Sequence, residues 1–299
     1  MSGVAPKTAD EQLNYLVGYR DDEGGRDALN LAVSMAQAFG VSLDLVSVVP
    51  GGRRVSRSDR GVTRRAREAL DRGAALVPRD VPVRVHVRTA PAVAPAVLQT
   101  ARDLGSRVII LGSDGPGGFG ARLRRQALGS VTTDVLQEAT IPVALAPLDY
   151  RVNRPIESVD CAVGTRPGGQ AVLDVALRVC VRTGLPLRVV ILVDPDTEIN
   201  DAIVDEARAR VALLMSSSVA RYGAPTDTRF VFARGGDVPA VIEATKWLET
   251  SVLIVGSTRV GAPQRQFLGA AVSKILDKLP SPVIVVPNMP VTEGLDLDG

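Results

Sequence analysis

The sequence has few residues that could bind a metal or act as an acid or base near neutral pH. Its 299 residues include one histidine and two cysteines. His86 lies in an alternating, strand-like stretch and has no histidine or cysteine at the spacing of a zinc site, which favours a structural role. Cys161 lies in an apolar strand-like run and Cys180 in a helix-like run. This placement indicates two buried thiols rather than a disulfide, and a reducing compartment.

The sequence also lacks an excess of charge of one sign and any long apolar run. The 35 Lys and Arg residues are balanced by 33 Asp and Glu residues. This balance argues against nucleic acid as a partner, because nucleic-acid-binding domains carry a basic excess. No stretch reaches the roughly 18 apolar residues of a membrane span, and residues 1–14 lack the pattern of a secretion signal. The sequence therefore predicts a cytoplasmic protein without membrane insertion.

Two phosphate-binding loops of nucleotide enzymes are missing as well. The sequence contains neither GxxxxGK[ST] nor Ser-Gly-Gly-x-Asp-Ser. No histidine, cysteine or pair of carboxylates is placed as an obvious catalytic base. A nucleotide hydrolase or transferase is therefore the least supported class of function.

What the sequence does contain is one succession of apolar and helical segments that occurs twice. Each half opens with a short apolar strand ending in Val-Gly, followed by a Gly-Gly pair, a helix and a second apolar strand. The fourth strands are the most alike, SRVIILGS at 106–113 and TSVLIVGS at 250–257. The fifth strands are both introduced by proline, IPVALAP at 141–147 and SPVIVVP at 281–287. The repeat predicts two similar domains in one chain.

The alternation of strands and helices defines the expected fold. It predicts a parallel sheet covered by helices on both faces, and the uninterrupted Val, Ile and Leu strands are typical of such a sheet. We expect an α/β protein of two tandem doubly wound domains, each with a five-stranded parallel sheet, over 1–150 and 151–299. The segment 148–159 is the expected linker. Because the apolar fifth strands would otherwise leave exposed edges, we expect the halves to form an internal pseudo-dimer.

Two other features are interpreted as core packing. In the second half, a helix carries apolar residues at the three-to-four spacing of one helix face, namely Ile203, Ala207, Val211, Leu214 and Val219. Trp247, near the end of a later helix, is interpreted as a packing residue rather than a stacking platform.

Residues after the first and fourth strands are the candidates for ligand binding, because open parallel sheets bind ligands beyond the carboxyl ends of their strands. In the first half a glycine-rich loop runs from Gly112 to Ser130 and leads into a helix. Backbone N–H groups at that helix start can hold an anion, and the Ser130 hydroxyl can donate a further hydrogen bond. Such glycines are equally consistent with a tight strand-to-helix turn.

The order of elements, the Gly-Ser pair followed by Val131 and Thr132, and the final Pro-Val strand resemble the universal stress protein family, once per half. The resemblance implies an adenine-nucleotide α-hydrolase-like fold and a non-catalytic, stress-response role. The family's nucleotide-binding members carry G-x2-G-x9-G-[ST], which implies ATP or another adenine nucleotide as the ligand. The positions that match this motif are Gly112, Gly115, Gly129 and Ser130. Ser113, which follows the first glycine, is added as a candidate binding residue.

The match to that motif differs between the halves. In the first half, 13 residues separate Gly115 from Gly129, where the family pattern has nine. In the second half the nine-residue spacing is kept, but Arg259 replaces the second glycine and Ala270 replaces the hydroxyl residue. We therefore expect at most one nucleotide per chain, in the first domain.

Arginine follows the first strand in both halves, as Arg20 and Arg166. The family's ATP-binding members have an aspartate there that meets the adenine, and arginine cannot accept a hydrogen bond from an adenine amino group. Arg20 could pair with a phosphate or carboxylate or stack on a base, and a solvated turn residue is the alternative. Two functions remain open: a regulator that binds a small phosphorylated ligand, and a degenerate member that acts through a protein partner.

Overall fold

A computed structural model of the chain describes residues 13–51, 57–112, 130–152, 154–164, 169–192, 201–233, 246–259, 266–267, 279 and 281–287. The elements of the first half are β1 Asn14–Gly18, α1 Glu23–Phe39, β2 Ser42–Pro50, α2 Arg57–Ala74, β3 Val83–Ala90, α3 Val93–Asp103, β4 Val108–Gly112, α4 Ser130–Glu138 and β5 Val143–Ala146. Those of the second half are β6 Ser158–Gly164, α5 Gly169–Thr183, β7 Leu187–Leu192, α6 Asp201–Tyr222, β8 Thr228–Ala233, β9 Ser251–Gly256, β10 Thr258–Arg259, β11 Gln266–Phe267 and β12 Val283–Val286.

The main strands form one ten-stranded sheet in the order β3-β2-β1-β4-β5-β12-β9-β6-β7-β8. Within each half the strands of this sheet are parallel, as the alternating pattern predicts. The halves meet where β5 pairs with β12 in antiparallel register, with Ala144 opposite Ile284. The predicted pairing of the two fifth strands is therefore confirmed, and it joins the two five-stranded sheets edge to edge.

Successive apolar residues of the strands are buried on opposite faces of the sheet. In β4, Ile110 belongs to one hydrophobic core and its neighbour Ile109 to the other, and both side chains are fully buried. Burial of such a side chain contributes about 1.5–3 kcal/mol to stability. The first core also contains Leu31 of α1 and Leu173 of α5, so it continues across the boundary between the halves.

The first helix begins and ends at residues suited to those positions. Asp22 is the N-cap of α1, and its Oδ1 accepts a hydrogen bond from the backbone N–H of Gly25 at 2.9 Å. Gly40 ends the helix in the left-handed conformation at φ 65°, which glycine adopts without a steric penalty. These caps fix where the chain turns back after β1.

The predicted apolar face of α6 is only partly right. Ala207 and Val211 are buried, but Ile203 is only half-buried. The buried residues are Val204, Ala207, Val211, Met215 and Ser218. The helix is thus rotated toward this set, because its packing against α5 determines which side it buries.

The segment between the two halves is bound to α1 rather than free. The Asn30 side chain donates to the carbonyl of Tyr150 at 2.8 Å, and the backbone N–H of Ile156 donates to the Ser34 carbonyl at 3.2 Å. The Tyr150 hydroxyl reaches the second half, where it donates to the Glu249 carbonyl at 3.2 Å. Within the described ranges, no helix has the length and apolar character needed to cross a bilayer.

Candidate ligand-binding site

A cavity of about 360 Å³ lies in the first half at the carboxyl ends of β1, β2 and β4. The first turns of α1, α3 and α4 also reach it. Most of its wall is apolar, formed by Val46, Val48, Val93, Val97, Leu111 and Val131. This is the edge of the sheet at which parallel α/β proteins bind ligands, as the sequence predicts. An apolar cleft of this size with a few polar groups is typical of a small-molecule site.

The floor of the cavity is formed by backbones in direct contact. A Cβ atom added to Gly112 would lie 2.3 Å from the carbonyl oxygen of Gly24. A Cβ added to Gly25 would lie 1.9 Å from the carbonyl oxygen of Arg20. Side chains cannot fit at these two positions without moving the start of α1. The glycines therefore allow the end of β4 and the β1–α1 turn to approach each other closely.

Three of the sequence-predicted site residues lie within the described chain, and two of them line this cavity. Gly112 and Arg20 line the cavity. Ser130 is the first residue of α4 and is exposed, and the next two residues, Val131 and Thr132, line the wall. The Thr132 hydroxyl donates to the Gly112 carbonyl at 3.3 Å, which ties α4 to the end of β4.

The other predicted residues of this loop, Ser113, Gly115 and Gly129, lie outside the described residues. Their assignment to the site, like a binding role for Gly112, Ser130 and Arg20, stays a prediction.

The polar side of the cavity contains an ion pair that the sequence reading missed. An Nη of Arg20 lies 2.6 Å from Oδ2 of Asp22, and both residues line the cavity. The side chains are 57% and 41% exposed. Arg20 is therefore an exposed arginine with a carboxylate partner, which agrees both with a solvated turn residue and with a binding role. An aspartate just before a helical stretch is an N-cap signal, and it could have located the carboxylate at Asp22.

The neighbouring carboxylate, Asp21, binds different partners. It pairs with Arg72 of α2 at 2.8 Å and more distantly with Arg26 of α1 at 3.7 Å. The hydrogen bond from Arg72, together with the charge of Arg26, lowers the pKa of Asp21. Tyr19 is buried against Gly73 of α2, and burial raises the pKa of its hydroxyl. These contacts hold the β1–α1 turn against α2.

The segment after β9 in the second half contains a short antiparallel strand pair. After β9, β10 and β11 pair in antiparallel register, with Thr258 opposite Phe267 and Arg259 opposite Gln266. β11 lies against α4 of the first half. Arg259, which replaces a motif glycine, is therefore part of a short strand. Arg166 and Ala270 lie outside the described residues.

The remaining candidates serve the packing of the fold. His86 Nε2 lies 2.8 Å from the buried carboxylate of Asp44, which also accepts hydrogen bonds from Arg84 and Asn14. Burial alone would raise the pKa of Asp44, but these three hydrogen bonds outweigh it and lower that pKa. His86 thus takes part in a hydrogen-bonded cluster at the opposite ends of the strands, which agrees with a structural role.

The predicted burial of the two cysteines and the packing role of the tryptophan are confirmed. Cys161 and Cys180 are buried free thiols. Burial raises the pKa of the Cys180 thiol to about 12 and also raises that of Cys161. Trp247 packs against the second core, with the Arg188 guanidinium 5.1 Å from its ring centre.

Comparison with known proteins agrees with the fold and with the duplication. The Universal stress protein family model matches residues 14–147 and 157–287. Universal stress protein Rv2319c of Mycobacterium tuberculosis is 26% identical over 297 residues, which cover 92% of this chain and all of that protein.

Two solved structures from Archaeoglobus fulgidus are also similar. A universal stress protein from strain DSM 4304 matches with a TM-score of 0.68 and 19% identity, over 92% of this chain and 98% of its own. A shorter one, solved in complex with dAMP, has a TM-score of 0.35 and 20% identity, over 45% of this chain and 97% of its own. With both halves matched by the family model, the chain belongs to the universal stress protein family as a tandem, two-domain member.

Proposed function

We propose that this chain is a non-catalytic stress-response regulator whose first domain binds an adenine nucleotide or another phosphorylated ligand. The observation that carries the proposal is the apolar cavity at the carboxyl ends of β1, β2 and β4. It combines walls suited to a flat ring with an arginine and a helix start suited to an anion. Both kinds of group lie within one cleft of the first domain.

The apolar wall would bind the ring of the ligand. Val46 and Val48 of β2 and Val97 of α3 present branched side chains to the cavity, and a heteroaromatic ring between them removes apolar surface from water. About 25 cal/mol is gained for each Å² of apolar surface buried. This part of the site selects for shape rather than for charge.

The anionic part of the ligand would lie toward α4 and Arg20. Ser130 begins α4, where the backbone N–H groups of the first turn and the helix dipole favour negative charge. The Arg20 guanidinium lines the same cavity and can form a bidentate contact with a phosphate. A binding role is favoured over catalysis because the described residues that line the cavity include a single carboxylate, Asp22, and no histidine, cysteine or lysine that could form an acid–base pair with it.

One observation favours the second candidate, a member that acts through protein contacts alone. In the second half the segment after β9 pairs as β10 and β11, and β11 contacts α4 of the first half. A loop used in this way serves contact between the domains rather than phosphate binding. If the loop after the fourth strand served contact between the domains in both halves, the chain would bind a protein partner and no nucleotide.

Blocking the cavity distinguishes the two candidates. Val48 lines the cavity and is half-buried, so Val48→Phe would fill part of it. Val62→Phe on the exposed side of α2 is the matched control. We expect calorimetric titration with ATP to show one site in the wild type and in the control. In Val48→Phe we expect the affinity for ATP to be at least tenfold lower, which corresponds to a loss of about 1.4 kcal/mol of binding free energy. Equal affinity in all three proteins would place the ligand elsewhere, and no binding in any would favour the protein-contact function.

A further inference from the structure

Asp22 makes two contacts at the edge of the cavity. Its Oδ1 accepts the backbone N–H of Gly25, which fixes the carboxylate at the start of α1. Its Oδ2 lies 2.6 Å from an Nη of Arg20. The helix cap therefore holds the carboxylate in place whether or not Arg20 stays bound to it.

From this geometry we propose that Asp22 is an internal competitor for Arg20 and sets how much negative charge a ligand of this cavity must carry. In the structure the Asp22 carboxylate contacts one Nη of the Arg20 guanidinium, the group that a ligand anion would also pair with. The proposal rests on the proposed function, because it assigns a specificity-determining residue to the same cavity.

The exposure of the pair makes the exchange feasible. Arg20 and Asp22 are 57% and 41% exposed, and ion pairs of such exposure contribute only about 0–1 kcal/mol. A phosphate chain carries more charge than one carboxylate and offers several oxygen acceptors to the planar guanidinium. It can therefore displace Asp22 from Arg20, whereas an uncharged ligand has no means of doing so.

After the exchange, Asp22 still opposes the ligand. Because the Gly25 N–H keeps the carboxylate at the helix start, its negative charge remains at the cavity edge beside the bound anion. A weakly charged anion would gain too little from Arg20 to outweigh this repulsion. The consequence is selection for a highly charged ligand over its less charged or neutral counterparts.

Asp21 offers a control at the adjacent position. It carries the same charge, but it pairs with Arg72 and Arg26 and is not part of the cavity wall. Replacing either aspartate by asparagine changes the net charge equally. Only the change at Asp22 frees Arg20.

The experiment compares Asp22→Asn with Asp21→Asn in calorimetric titrations with ATP and with adenosine. Asparagine is as good an N-cap as aspartate, so α1 should keep its start, and Asp22→Ser gives a second capping variant. We expect Asp22→Asn to bind ATP about fivefold more tightly, the upper end for an exposed ion pair, with adenosine changed less than about twofold. Asp21→Asn should change the ATP affinity less than about twofold. In an Arg20→Gln background the gain from Asp22→Asn should shrink.

Each other result has a distinct meaning. If wild type binds ATP and Asp22→Asn and Asp22→Ser leave the affinity unchanged or weaken it, the competitor role is wrong while the proposed function stands. An equal gain in ATP affinity from Asp21→Asn would also overturn the inference, since the gain would then come from the change in net charge and not from the release of Arg20. If neither the wild type nor any variant binds ATP, the inference is refuted together with ATP as the ligand of the proposed function.

Discussion

We expect Asp27 of α1 to make the stability of this protein fall as the pH rises through about 6. Its side chain is 2% exposed, pairs with Arg151 from the segment between the halves, and accepts the backbone N–H of Asp149 at 3.0 Å. Burial raises the pKa of Asp27 to about 6, although the hydrogen bond and charge of Arg151 oppose the shift. The folded chain therefore binds a proton here more tightly than the unfolded chain does.

The sign and size of the effect follow from that difference. Because the folded pKa lies above the unfolded value of 3.8, the stabilisation by the bound proton is complete below pH 3.8 and is lost as the pH rises through 6. The whole shift corresponds to about 3 kcal/mol, at 1.36 kcal/mol for each pKa unit. About 2 kcal/mol of it should be lost between roughly pH 4.5 and pH 7.5.

The comparison of wild type with Asp27→Asn isolates this carboxylate from the others. Urea unfolding of both proteins is measured at several values in that pH range, and the free energy of unfolding of the variant is subtracted from that of the wild type. We expect this difference to fall by about 2 kcal/mol from pH 4.5 to pH 7.5, whatever its absolute value. If the difference stays constant within about 0.5 kcal/mol, the scatter of unrelated surface changes, the pKa of Asp27 is not raised in the folded state.

Two further predictions concern the β1–α1 turn. Gly25→Ala should lower the free energy of unfolding by about 2 kcal/mol or more, because the added Cβ would overlap the Arg20 carbonyl oxygen. Gly61→Ala in α2 is the control, since no atom lies within 4 Å of the added Cβ, and it should raise the free energy of unfolding by up to about 1 kcal/mol. Equal effects in urea unfolding would contradict the geometry. Arg20→Asp should weaken ATP binding by about 1–3 kcal/mol in calorimetry, since it removes the guanidinium and places a second carboxylate beside Asp22. An unchanged affinity would exclude Arg20 from the site.

The architecture could be predicted from the sequence because it depends on patterns spread over many residues. Buried parallel strands require uninterrupted apolar runs. Each half ends with one such run, introduced by proline, and these two runs indicated edge strands that need a partner. The pairing of Ala144 with Ile284 is the result. The rotation of α6 depends on packing against other elements, which explains why the predicted apolar face included Ile203 instead of Val204.

The site was only partly predictable for a related reason. Gly112 and Arg20 follow strand ends, and topology alone brings them to one cavity. The role of Asp22 depends on the bend of the chain before α1, and that of Asp27 on a linker that covers it, neither of which leaves a periodic pattern. The β10–β11 pair has two residues in each strand, too few to show an alternation.

The central claim is that the first domain alone provides a binding site for a phosphorylated ligand. Native mass spectrometry of the purified chain, before and after ATP is added, tests it most directly by counting ligands on each 31.5 kDa chain. We expect one phosphorylated ligand per chain, with lower occupancy in Val48→Phe and the wild-type occupancy in Val62→Phe. Two equivalent ligands per chain, or none under any condition, would contradict it.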